Sequence, residues 1–315
     1  MRVTPGRIAA AIAAMLLLAA SGCATLSPPR HALEISHALL WRATPPTAAS
    51  GEVILLGSIH AGSEALELAP PLDAWWRTTH TLAVEVDVAG LSGAETGAAI
   101  LRHGTLLAST LPERVSPETW RALVAFALAH EVDPIAFAHA RPWMAAMMVE
   151  EITLEDAGMR NEFGVEAALV ARARREGRPV ESLETLDEQF ETFARLPDAV
   201  QEQFLVDALS ADAPAAMLDF LALWKRGDAA ALDAQIASDT RPEMKLFYDA
   251  VFFQRNRRMA ERLTEWARDG RPRFVVVGAG HTVGESSLPA LLAEAGWSVE
   301  RIEAPPPQQP PILAP

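Results

Sequence analysis

Residues 53–60, VILLGSIH, and residues 274–281, FVVVGAGH, share one pattern, an apolar run that ends in G-x-x-H. Each apolar run is typical of a buried β-strand. The two histidines, His60 and His281, are 221 positions apart, and each lies just past the carboxyl end of its predicted strand. Ligands of open α/β sheets bind at that edge. The pattern therefore predicts that both imidazoles face one site, where they could share a metal ion or a substrate.

Outward from these two stretches, strand-like runs lie near both ends of the chain and the centre is helical. A hairpin is predicted over 39–43 and 52–56, and further strands over 81–87, 179–183, 274–277 and 298–302. Helices are predicted after Ser116-Pro117, over 164–175 and from 285 to 296, and residues 197–269 have apolar residues at helical intervals. The sequence predicts an α/β fold, with a small sheet built from both ends of the chain and a large helical insertion at about 111–269.

The first 22 residues have the pattern of a bacterial lipoprotein signal peptide. Arg2 and Arg7 precede an apolar stretch, and small residues lead to Cys23, the only cysteine. We therefore predict lipidation of Cys23, with residues 23–37 as a tether; an ordinary cleaved signal peptide is the alternative. Because Ala24 rather than an aspartate follows the cysteine, the predicted location is the periplasmic face of the outer membrane.

The composition of the mature chain excludes several classes of protein. Removal of the two arginines of the signal takes the formal charge from −14 to −16, which argues against nucleic acid as a partner. With no cysteine after position 23, the chain has no disulfide and no thiol nucleophile within the folded body. Residues 304–315 are rich in proline and predict an irregular tail, which leaves 38–303 as the folded domain.

Glu85 is the third candidate, because it lies within the apolar run 83–87 where an unpaired charge is costly. In a strand, Glu85 and Asp87 share one face, so Glu85 could reach the site of the two histidines as a metal ligand or as a general base. The alternatives are that each histidine caps a strand end, and that Glu85 lies on the solvated face of an edge strand.

Three further residues are predicted to support the site. Glu184 follows a strand-like run, although it could equally be a carboxylate at a helix start. Asn256 and Arg257 lie on a helix before the second G-x-x-H, where a guanidinium could hold a substrate carboxylate or an oxyanion. Pairing with surface acids is the alternative for the arginine. No serine-hydrolase elbow, phosphate-binding loop, H-E-x-x-H helix or dinucleotide fingerprint occurs in the sequence.

Five stretches, taken in order, resemble the TraB/GumN family, which is related to the Tiki metalloproteases and more distantly to erythromycin-esterase-like and ChaN-like proteins. They are LLGSIH (55–60), VEVD (84–87), GVE (164–166) with ESLET (181–185), RNRRM (255–259) and VGAGH (277–281). The resemblance covers roughly residues 38–303. It implies a Tiki/erythromycin-esterase-like fold and a metal-dependent hydrolytic site, with His60, His281 and Glu85 at its centre.

The sequence and the resemblance together predict a lipid-anchored periplasmic metallohydrolase that acts on a peptide bond. A divalent transition metal (Mn, Co or Zn), held by His60, His281 and Glu85, would lower the pKa of a bound water. The alternatives are an envelope lipoprotein that binds a metal, haem or a small ligand without catalysis, and an esterase that uses a His60–Glu85 pair without metal.

Overall fold

The computed structural model describes residues 31–34, 38–47, 50–239 and 241–304. The predicted signal peptide, the predicted lipidation site Cys23, most of the predicted tether and nearly all of the proline-rich tail lie outside these ranges. Within the described residues, no helix has the length and apolar character needed to cross a membrane.

Among the residues that the structure describes, eight strands form two sheets, one of two strands (β1 and β4) and one of six. The strands are β1 (His31–Leu33), β2 (Leu39–Thr44), β3 (Val53–Ser58), β4 (Leu66–Leu68), β5 (Thr81–Val84), β6 (Val180–Ser182), β7 (Arg273–Gly278) and β8 (Ser298–Arg301).

Twelve α-helices surround and extend this sheet within the described ranges. They are α1 (Pro70–Arg77), α2 (Gly93–Ala99), α3 (Pro117–Ala129), α4 (Pro142–Asp156), α5 (Val165–Arg175), α6 (Leu186–Ala194), α7 (Asp198–Ala208), α8 (Ala213–Lys225), α9 (Ala229–Ala237), α10 (Pro242–Tyr248), α11 (Arg255–Ala267) and α12 (Leu288–Glu294).

The six-stranded sheet has the order β6-β5-β7-β3-β2-β8. Its first four strands are parallel, and β3 pairs with β7 from Val53↔Arg273 to Ser58↔Gly278. Strand β2 forms the predicted hairpin with β3, and β8 pairs antiparallel with β2. The prediction of a mixed α/β fold whose sheet joins both ends of the chain is confirmed.

Three details of the fold differ from the sequence-based expectations. Strand β5 ends at Val84 and lies between β6 and β7, so Glu85 and Asp87 are not alternate residues of an edge strand. The chain turns there, since the Val88 N–H donates to the Val86 carbonyl. The short strands β1 and β4 were not predicted. The last helix begins at Leu288, because the Ser287 side chain caps it.

The helical part of the chain packs on a buried aromatic cluster. The rings of Trp143, Phe193, Phe204 and Phe247 contact one another at centroid distances of 5.0–6.5 Å. All four are buried, and burial of each contributes roughly 1.5–3 kcal/mol. This part is attached to the sheet at Trp224 on α8, whose indole N–H donates to the Gly57 carbonyl at 2.9 Å.

Candidate functional site

The carboxyl ends of the four parallel strands carry the ionisable residues of the candidate site. His60 follows β3, Glu85 follows β5, Glu184 follows β6 and His281 follows β7. The parallel pairing continues past β5 and β6, since the Glu184 N–H donates to the Glu85 carbonyl at 2.9 Å. The topology therefore brings together side chains that are far apart in the sequence.

Arg255, the first residue of α11, is the cation at the centre of this group and is fully buried. Its guanidinium binds Glu184 through two nitrogens, with Nε at 3.0 and 3.1 Å from the two carboxylate oxygens, and it also binds Glu85. Burial lowers the pKa of Arg255, but the two carboxylates outweigh this effect and raise it. The arginine is thus a permanent positive charge that compensates two buried acids.

Glu85 stays ionised in this environment although only 1% of it is exposed. Its Oε1 accepts a hydrogen bond from the Gly278 N–H at 2.6 Å, and its Oε2 accepts one from Arg255. Burial alone would raise the pKa of Glu85, but the neighbouring imidazoles when protonated, the Arg255 guanidinium and the Gly278 N–H lower it below its ordinary value.

His281 is neutral and fixed in one tautomer by its two partners. The Asn256 amide nitrogen donates to the Ser286 carbonyl, so its Oδ1 faces His281 Nδ1 at 2.6 Å and accepts the ring proton. On the other side of the ring, Arg255 Nη1 donates to His281 Nε2 at 3.1 Å. Burial lowers the pKa of His281 to about 3, because a second cation cannot be accommodated beside the guanidinium.

His60 has a different environment, because its ring faces the carboxylate of Glu166 on α5. Glu166 Oε2 lies 3.3 Å from His60 Nδ1. Burial lowers the pKa of His60, but the negative charges of Glu166 and Glu85 outweigh burial and raise it above 6.5. Burial raises the pKa of Glu166 above its ordinary value.

The backbone at the start of α5 explains why these two residues meet. The Val165 N–H donates to the Ile59 carbonyl at 3.0 Å, which holds the loop after β3 against the first turn of the helix. A Cβ at Gly164 would lie 2.3 Å from the His60 carbonyl oxygen, so only glycine permits this approach.

The side chains of His60, Glu85 and His281 converge on one point next to Gly278. A Cβ at that position would lie 3.3 Å from His60 Nε2, 3.3 Å from Glu85 Oε1 and 3.7 Å from His281 Cδ2. His60 Nε2 is buried and has no hydrogen-bond partner among the described residues. A cavity of about 140 Å³ opens from this point, lined by His60, Glu85 and Glu166. The arrangement offers one free imidazole nitrogen to a molecule in the cavity.

The donor set does not fit a single metal ion held by His60, Glu85 and His281 in this arrangement. Both nitrogens of His281 and both oxygens of Glu85 already have partners, and a guanidinium lies where a cation would have to bind. Across the described ranges, no group of three or more His, Cys, Asp and Glu side chains has a geometry that could hold a metal. Among these three residues, as the structure describes them, His60 Nε2 is a nitrogen without a hydrogen-bond partner.

The structure thus brings together five of the six residues predicted for the site: His60, Glu85, Glu184, Asn256 and His281. Arg257 is exposed on α11, and Arg255, two positions earlier, supplies the guanidinium. Sequence reasoning also missed Glu166. The signal for Glu166 was present in Gly164-Val165-Glu166, because a helix with glycine at its N-cap and an acid in its first turn can direct that acid at a neighbouring strand end.

Comparisons with known proteins identify the family of the chain. The model of the TraB/PrgY/gumN family matches residues 39–301. The chain is 28% identical over 242 residues to the uncharacterized protein YbaP of Escherichia coli (strain K12), an alignment that covers 76% of this chain and 86% of YbaP. YbaP of Shigella flexneri matches to the same extent. No solved structure matches the chain significantly. On this evidence the chain belongs to the TraB/PrgY/gumN family.

Proposed function

We propose that the protein is a hydrolase of peptide bonds in which His60 is the base that activates water. The observation that supports this most directly is the environment of the His60 ring, with Nδ1 at Glu166 and a buried, unpartnered Nε2 at the cavity. An imidazole oriented by a carboxylate is the usual arrangement of a general base, because the carboxylate fixes the tautomer and stabilises the imidazolium that forms.

In the proposed reaction His60 Nε2 takes a proton from water while the water oxygen attacks the carbonyl carbon of the substrate. Glu166 stabilises the resulting imidazolium. The imidazolium then donates its proton to the departing nitrogen, the C–N bond breaks, and a carboxylic acid and an amine leave. Glu85 contributes through its negative charge, which holds the pKa of His60 up, and Arg255 keeps Glu85 ionised.

Two variants test this role. Wild-type protein, His60→Ala and His80→Ala are incubated with a mixed peptide library, and the products are identified by mass spectrometry. His80 is an exposed histidine outside the cavity and serves as the matched control. We expect cleavage by the wild type and by His80→Ala, with a loss of at least about a hundredfold in His60→Ala. If peptides bind to the wild type without cleavage, the protein is a binding lipoprotein instead.

A metal-dependent form of this hydrolysis is the second candidate, favoured by the unpartnered His60 Nε2, since neutral imidazole is a common ligand of transition metals. The metal-dependent form requires that the hydrogen bond between Arg255 Nη1 and His281 Nε2 be broken. Elemental analysis of wild type beside the His60→Ala/His281→Ala double variant tests it. About one equivalent of Mn, Co or Zn, absent from the folded double variant, would support the metal-dependent form. Metal-free protein that cleaves peptides in the presence of a chelator would support the His60 mechanism.

We also propose, from the sequence alone, that a lipid on Cys23 anchors the protein at the periplasmic face of the outer membrane. Metabolic labelling with radioactive palmitate tests this, with Cys23→Ser as the control. Label in the wild type that is absent from the variant supports the anchor, and an unlabelled wild type contradicts it.

A further inference from the structure

The cavity at His60 continues as a slot between α5 and the segment that follows β5. One wall is a single face of α5, formed by Glu166, Ala167, Val170, Ala171 and Arg174. These positions recur at intervals of three and four residues, as expected for one helix face. With a rise of about 1.5 Å per residue, the face spans roughly 12 Å from its first to its last member.

The opposite wall is the chain from Glu85 to Ala89. Asp87 lies two residues beyond Glu85, in the turn where the Val88 N–H donates to the Val86 carbonyl. The Asp87 carboxylate binds Arg174 Nη2 at 2.9 and 3.0 Å, and this pair lies at the end of the slot away from His60. The slot therefore has a reactive end at His60, a middle, and a charged end at Asp87 and Arg174.

The middle of the slot is apolar and small. Its apolar side chains are Val86, Val88, Ala167, Val170 and Ala171, and the cavity is also lined by Asn161 and Gln189. The whole cavity measures about 140 Å³. An apolar cavity of about 150 Å³ takes up benzene, so the space suits an aliphatic group of up to about six carbon atoms.

Arg174 is the cation at the far end that still has free donors. Its side chain is 42% exposed, and its contacts with Asp87 use Nη2 alone. Nε and Nη1 bond to none of the described residues, and a guanidinium fork matches the geometry of a carboxylate. Of the acids that line the slot, Glu85 binds Arg255 and the Gly278 N–H, and Asp87 binds Arg174. Glu166 Oε2 lies 3.3 Å from His60 Nδ1.

We propose that the slot holds the carboxyl-terminal end of a short peptide, with an aliphatic residue in the apolar middle, the terminal carboxylate on Arg174 and the bond to be cleaved at His60. A peptide residue spans about 3.3–3.6 Å and the α5 face spans roughly 12 Å, so the carboxylate lies no more than about three residues beyond that bond. This inference rests on the proposed role of His60 and adds the class of substrate.

Binding of two peptides to His60→Gln protein, which cannot turn them over, tests the slot. The probes are acetyl-Ala-Ala-Leu with a free carboxylate and the same peptide as its carboxamide, measured by isothermal titration calorimetry. We expect the free acid to bind at least about tenfold more tightly than the amide. Arg174→Ala should abolish this preference, because it removes the carboxylate-binding group.

Arg175→Ala is the matched control, because it removes the same charge at the next position of the helix but from outside the slot. It should keep the full preference for the free acid. A second variant, Val170→Phe, fills the middle of the slot and should weaken binding of the leucine peptide more than binding of the corresponding glycine peptide. A variant that changes the binding of one peptide but not of the other is still folded, so these comparisons separate a local effect from a loss of folding.

Several results would overturn the inference. They are equal binding of acid and amide, equal effects of Arg174→Ala and Arg175→Ala, binding that requires a free amino terminus, and no binding of either peptide. The proposed hydrolysis is tested separately. Cleavage of peptides by the wild type without any preference for a free carboxylate would refute only the substrate assignment. A strong preference in binding without any cleavage would refute only the hydrolase.

Discussion

Acidification from pH 8 to pH 5 should destabilise the fold through His281. The pKa of this buried imidazole is lowered from 6.5 to about 3, mainly by burial. The unfolded chain therefore takes up the proton more readily than the folded chain. The stability gained by keeping the ring neutral is present above pH 6.5 and is lost as the pH falls from there toward 3.

The magnitude follows from the difference between the two pKa values. With 1.36 kcal/mol per pKa unit, the loss between pH 8 and pH 5 is about 2 kcal/mol. This loss does not depend on the pKa of His281 in the folded protein as long as that pKa stays below about 4, because the ring in the folded protein is then neutral at both pH values. His60 acts in the opposite direction, since its pKa is raised, so the effect of His281 must be isolated by a variant.

The assay is urea unfolding at the two pH values, followed by tryptophan fluorescence. His281→Gln cannot take up a proton, so its loss of stability between pH 8 and pH 5 should be smaller than that of wild type by about 2 kcal/mol. His80→Gln, which replaces an exposed histidine, should show the wild-type loss. If His281→Gln and wild type lose equal stability on acidification, the assignment of a neutral, buried His281 is refuted.

Three further predictions concern the same site. The rate of peptide cleavage should rise with pH, with a midpoint above 6.5. Glu166→Gln should move that midpoint to lower pH, because it removes the charge that raises the pKa of His60. If wild type and Glu166→Gln have the same midpoint, the proposed pairing of His60 with Glu166 is contradicted. Arg255→Met should destabilise the protein by about 3–5 kcal/mol in urea unfolding, because it leaves two buried carboxylates without the guanidinium that compensates their charge. The control Arg257→Met replaces an exposed arginine and should change stability by less than about 0.5 kcal/mol. Gly278→Ala should lower kcat/KM at least about tenfold, since the added methyl group crowds the space between His60 and Glu85. Stability should change little, because the φ of −52° at this position is one that alanine adopts without strain. Unchanged kinetics would place the reaction elsewhere.

Much of the fold could be predicted because the strands have strong local signals. The runs that contain Leu55 and Val276 are apolar throughout, as expected of strands covered on both faces. The end of β5 could not be predicted in the same way. Residues 81–87 continue the strand pattern, and only the turn at Val86 and the neighbouring strands stop the pairing at Val84.

The site was predictable where a motif marks it and not where only the fold creates it. The two G-x-x-H stretches identify His60 and His281 without any knowledge of the structure. In the RNRRM stretch, however, the sequence gives no means of deciding which arginine faces inward. That choice depends on the rotation of α11 against the sheet, which turns Arg255 inward and leaves Arg257 in solvent.

The pairing of β3 with β7 has a consequence for the order in which the molecule assembles. The two strands are joined by more than 200 residues of intervening chain, so closing this contact costs roughly 2 kcal/mol more in loop entropy than closing a loop of about 20 residues. Contacts so distant in sequence slow folding, whereas the helices between the strands can form locally. Because His281 and Gly278 arrive only with β7, a chain that is still being synthesised lacks the complete candidate site. The proposed hydrolytic activity would therefore begin only once nearly the whole chain is in place.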